Sequence, residues 1–106
     1  MTGKKGGLLL IEVSVRKDEV KVSGHADFAK KGEDIICAAV SVLTQNLANS
    51  IQNLTQDKST CVVESGKVII NLDFESLSEQ TKTLIDSFFL GICNIANEFP
   101  NNVKVV

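Results

Sequence analysis

The sequence predicts an α+β domain in the order ββαββαβ, a small mixed or antiparallel sheet packed against two helices. Three observations predict it. Apolar residues alternate with polar ones over short runs, the mark of half-buried strands. Over two longer stretches they recur at three- and four-residue steps, the mark of amphipathic helices. Polar or glycine-containing turns separate these runs.

The elements follow in order. Leu9, Ile11, Val13 and Val15 share one parity, and Glu12, Ser14 and Arg16 the other, so this is a strand with one buried face. "RKDE" is a polar turn and "VKVS" a short return strand, which together make a hairpin. Gly24 and Gly32 bracket a charged stretch that reads as a loop. Asp34 reads as the N-cap of a helix whose apolar stripe is Ile36, Val40, Leu43, Leu47, Ile51 and Leu54. "TCVVESGKVIINLDF" is a second hairpin around a Ser-Gly turn, with Cys61 and Val63 on its core face. Ser76 and Glu79 have capping-box spacing for a second helix, through Leu77, Thr81, Leu84, Ile85, Phe88, Ile92, Ile95 and Phe99. Its middle, "LIDSFFLGI", is apolar on more than one face, which calls for burial by the sheet and by a further surface such as another subunit. Pro100 ends it, and "VKVV" reads as a final edge strand.

Size and charge narrow the function. A chain of 106 residues with 43% hydrophobic content builds one domain with its own core. Residues 1–7 read as a flexible tail and 8–106 as the domain. Eleven basic against thirteen acidic residues give a formal charge of -2, without the basic excess that backbone binding of nucleic acid requires. No apolar run approaches the ~18 residues of a membrane span, and the basic, briefly apolar start lacks the cleavage site of a signal peptide. Cys37, Cys61 and Cys93 are odd in number and irregularly spaced, with no CxxC. That argues against a disulfide framework, a zinc site or a dithiol pair, and for a reducing, cytoplasmic compartment. Cys61 and Cys93 read as core. No metal or cofactor motif is present.

The chemistry concentrates in "SGHADFAKKGEDIICAA", Ser23 to Ala39, which holds the single histidine, His25, and Cys37. With Asp34 as cap, Cys37 is the third helical residue, where unpaired N–H groups and the dipole favour a thiolate. His25 follows a strand end at Gly24, and a loop can return its ring to the helix start. Cysteine nucleophile and histidine base then meet. The plainer reading is also open: a packed cysteine among Ile36, Ala38, Ala39 and Val40, and a surface histidine. Asp34 caps the helix, orients His25, or shares both tasks; Asp27 and Glu33 are the other local carboxylates. Ser41 lies one turn below Cys37 on the same face.

"GHA" followed by "GEDIICAAVS", with twelve residues from histidine to cysteine, resembles the ribosomal-processing cysteine protease family Prp, and the layout is similar from about Leu8 onward. The resemblance implies a bacterial, cytoplasmic endopeptidase that removes the N-terminal extension of an L27-type large-subunit ribosomal protein. It implies His25 and Cys37 as catalytic residues and Asp34 as the aspartate before the helix. Gly24, Gly32 and Ser41 become supporting positions, and the assembly a homodimer. It implies no cofactor, no direct nucleic-acid binding and no membrane. "DIICAA" differs from the commoner "DIVCAA" by one methylene, away from the chemistry. Two other readings need no catalysis: a homodimeric binding module serving a ribosomal protein or ribosome maturation, and a structural α+β dimer.

Overall fold

The computed structural model describes residues 10–16, 18–24, 33–64 and 66–106. Two strands, β1 (Ile11–Val15) and β2 (Glu19–Ser23), form the first hairpin. Helix α1 (Glu33–Leu54) follows, then the hairpin of β3 (Ser59–Glu64) and β4 (Lys67–Leu72). A short 3-10 turn (Phe74–Ser76) leads to α2 (Glu79–Glu98) and β5 (Val103–Val105). The sequence order ββαββαβ is therefore realised. The expected tail, residues 1–7, lies outside the described residues.

The strands form one mixed sheet in the order β3-β4-β2-β1-β5, with β5 parallel to β1 and every other pair antiparallel. From these directions β2 and β3 run alike, as do β4 and β5. Each helix is therefore a crossover between parallel strands that skips those in between. Right-handed crossovers moving in opposite directions across a sheet, from strands of opposite sense, land on the same face. Both helices do so, and share one core with that face: Ile11, Val13, Val20, Val22, Ile70, Leu72 and Val103 from the sheet, Val40, Leu47 and Ile51 from α1, Ile85, Phe88 and Ile92 from α2. Each such side chain contributes about 1.5–3 kcal/mol by leaving water. At Gly91 of α2 a Cβ would stand 3.0 Å from the Leu43 side chain, so the small residue lets the helices approach.

No described helix covers the opposite face of the sheet, which carries Glu12 opposite Lys104 and Glu64 opposite Lys67. Ser14 departs from its polar parity: it is only 5% exposed. A small side chain on an interior strand, opposite Lys21, is shielded by longer neighbours even on an open face.

The boundary of α2 differs from the sequence reading. Its cap is Ser78, not Ser76: the Ser78 hydroxyl accepts from the Thr81 N–H at 3.3 Å. Ser76 closes the 3-10 turn, its N–H donating to the Asp73 carbonyl. Asp57, 21 residues away, accepts from both the N–H and the hydroxyl of Ser78 at 2.9 and 2.8 Å. A tertiary contact thus selects between two serines that local spacing does not separate.

At the end of α1, Leu54 is 69% exposed rather than buried, because the helix has passed the edge of the core. There the Thr55 hydroxyl donates to the Ile51 carbonyl and accepts from the Asp57 N–H.

Candidate active site

The topology gathers one end of the sheet around the start of α1. The end of β2, the start of β1 and the tip of the β3–β4 hairpin all lie there. Gly24, which leads into the segment holding His25, donates its N–H to the Gly66 carbonyl at the hairpin tip, 2.9 Å away. Its φ is +101°, and a Cβ would run into the Leu10 carbonyl oxygen. Both conditions demand glycine: positive φ disfavours any side chain, and the approaching backbone leaves no room for one.

Cys37 is half-buried on α1 and packs against the core cluster. Ser41, one turn on, is half-buried on the same stripe. Asp34 is exposed, one turn before Cys37. His25 and Gly32 lie outside the described residues, as does Asp27.

The cap assignment for Asp34 changes. α1 begins at Glu33, so Asp34 is its second residue and Cys37 its fifth. A cap precedes the first helical residue; Asp34 is already within the helix. Its carboxylate still faces the positive end of the dipole from the first turn, a favourable placement. For Cys37 the shift matters more. The field of a helix end falls off within the first turn, and the fifth residue is just beyond it.

The sequence places Cys61 in the core by strand alternation and Cys93 by its place in the apolar second helix; the structure puts neither there. Cys61 is exposed on β3, although it points to the helix side of the sheet, because β3 is an edge that α1 leaves partly uncovered. Cys93 is half-buried on α2 and outside the core cluster. Among the described residues, no group of three or more His, Cys, Asp or Glu side chains is arranged to hold a metal ion. No described helix is long and apolar enough to cross a membrane.

A half-buried cysteine thus lies near the start of α1, the element that follows β2 in the chain. The family model described as cysteine protease Prp matches residues 10–104. The chain belongs to the cysteine protease Prp family. It is a cysteine protease, a peptide hydrolase. Among its relatives, the Mycoplasma pneumoniae ribosomal processing cysteine protease Prp is 56% identical over 32 residues, 30% of this chain and 32% of the relative. The Staphylococcus aureus Prp is 21% identical over 104 residues, 92% of this chain and 97% of that protein. Its crystal structure with a substrate peptide superposes with a TM-score of 0.78 at 20% identity, covering 92% and 96% of the two chains. SMU.848 from Streptococcus mutans gives a TM-score of 0.75 at 29% identity, over 95% and 94%. The Prp fold is thus spanned by almost the whole described chain.

Proposed function

We propose that this protein is the endopeptidase that removes the N-terminal extension of an L27-type large-subunit ribosomal protein, using Cys37 as nucleophile and His25 as base. The observation that carries the reading is the position of Cys37. Of the three cysteines it is the one near the start of α1, the element that follows Gly24 and the histidine segment in the chain, within a chain of the Prp family. The relatives named as ribosomal processing proteases support the substrate class.

In this reading His25 takes the proton of the Cys37 thiol, and the thiolate sulfur attacks the scissile carbonyl. N–H groups of the first turn of α1 are available to the oxyanion. Collapse of the tetrahedral adduct breaks the C–N bond, and His25 protonates the departing amine. Water then attacks the thioester, His25 takes its proton, and the Cys37 thiol is regenerated. Asp34, from the first turn, is the described carboxylate nearest in sequence to the nucleophile and a candidate to orient the ring. Pairing of two copies belongs to the same reading. It is supported by Phe89 and Leu90 of α2, both exposed, Leu90 at 66%.

The test is incubation of the purified protein with a peptide spanning the extension and the first residues of the mature ribosomal protein, followed by mass spectrometry. Wild-type protein cuts once and C37S does not. A C37S protein that cuts at the wild-type rate overturns the assignment.

A further inference from the structure

The stripe of α1 that carries Cys37 continues well beyond the first turn. Cys37, Ser41, Thr44, Ala48 and Gln52 follow at steps of four, three, four and four, a single line along the helix. Thr44, Ala48 and Gln52 form one wall of a groove of about 280 Å³, and Cys61, Val63 and Val68 of the β3–β4 hairpin form the other. None of the residues lining it is charged.

The far wall is an edge strand. Among the described residues β3 pairs only with β4, so its outer row of N–H and C=O groups has no strand partner. Cys61 and Val63 point to the helix side of the sheet, yet both are exposed, Val63 at 73%. The groove is therefore open above and apolar at its base, with backbone donors and acceptors along one rim.

We infer that this groove is a substrate subsite: it takes an uncharged, extended segment of the peptide, which adds to β3 as a strand and directs alternate side chains between β3 and α1. This rests on the protease reading above and names how its substrate is held. Three features select such an occupant. The groove lies on the nucleophile's own stripe. Thr44 is seven residues from Cys37, about 10 Å along the helix axis and so about three residues of extended chain from the scissile bond. An open edge strand recognises a peptide by main-chain pairing, with pockets for every second side chain. The lining offers side-chain amides and apolar groups, the Thr44 hydroxyl being spent on the Val40 carbonyl, so a charged side chain would lose hydration with no counter-charge in return.

The experiment combines kinetics with the native thiol of Cys61. Cleavage of the extension peptide is measured for wild type, Val63→Asp and Val62→Asp; Val62 is on the same strand but the opposite face. Both positions are exposed, and thermal melts confirm that the variants remain folded. Val63→Asp raises KM about tenfold with kcat within about twofold, the signature of lost uniform binding. Val62→Asp leaves KM within about twofold. In C37S protein, saturating uncut peptide, its binding followed by fluorescence anisotropy, slows alkylation of Cys61 at least about fivefold and leaves Cys93 unchanged, as expected for exclusion of a reagent from an occupied groove. An unaltered KM in Val63→Asp, equal KM changes in both variants, or Cys61 alkylated at its peptide-free rate while anisotropy shows bound peptide would each overturn the subsite and leave the protease reading standing. Failure of the wild type to cut the peptide would overturn the reading itself, and the subsite with it.

Discussion

The Gly24 N–H and the Gly66 carbonyl, 2.9 Å apart, join the strand that leads to His25 to the tip of the β3–β4 hairpin. Forty-two positions separate the two in sequence, and both have positive φ, +101° and +73°. The backbone just before His25 is thus tied to the start of β4 by a hydrogen bond.

Gly24→Ala tests that tie. The new Cβ meets the Leu10 carbonyl oxygen in a backbone conformation that alanine resists. The combined strain and overlap cost about 2–4 kcal/mol. Urea denaturation should show this loss, and peptide cleavage should fall even where the variant is still folded.

Cys37→Ser and His25→Ala should each lower kcat at least about a thousandfold, since in the proposed mechanism each removes a member of one reacting unit. Cys37 is only half-buried, so the serine variant should keep wild-type stability within about 1 kcal/mol. Burst and steady-state cleavage assays, run beside thermal melts, separate lost chemistry from lost fold.

Ser78 and Ser76 should behave differently. Ser78→Ala removes the α2 cap and a ligand of Asp57, and should cost at least about 1 kcal/mol. Ser76→Ala should stay within about 0.5 kcal/mol, because Ser76 is exposed in the 3-10 turn. Equal losses in urea denaturation would contradict Ser78 as the cap.

The same contact makes acid stability depend on Asp57. The Thr81 hydroxyl, then the N–H and hydroxyl of Ser78, hold its carboxyl below the ordinary carboxylate value. The folded state therefore binds this proton less readily than the unfolded chain. The stabilisation is complete above the unfolded value of about 4 and is lost as pH falls through the lowered folded value. Asp57→Asn should lower Tm at pH 7, and the gap to wild type should close as the buffer is taken into that acidic window. A gap independent of pH would show that the carboxylate charge is not what matters.

How much of this was legible in the sequence differs from element to element. Strand parity and helical spacing located both hairpins and both helices, because the side-chain periods of two and 3.6 are imposed by local backbone geometry. The pairing of His25 with Cys37, argued from their places at a strand end and a helix start, rests on residues outside the described ones and stays a proposal. Local logic erred where the deciding neighbour was distant. Cys61 has the parity of a core residue but sits on an edge that α1 covers only in part. Ser76 and Ser78 both suit a cap, and Asp57 decides. Asp34 looked like the residue before the helix, yet the helix already includes Glu33. Thr44 and Gln52 carried no signal as site residues, since nothing in α1 itself says which of its faces looks onto an open strand edge.

The sequence by itself determined the element order, the identity of the apolar faces and the family motif, because each depends on residues close together in the chain. The tertiary structure alone decided the order β3-β4-β2-β1-β5 and the parallel placement of β5. It also decided the bond from Gly24 to the hairpin tip and the groove between α1 and β3. These follow from how two crossover helices share one face of a sheet, and that packing depends on contacts between segments dozens of residues apart.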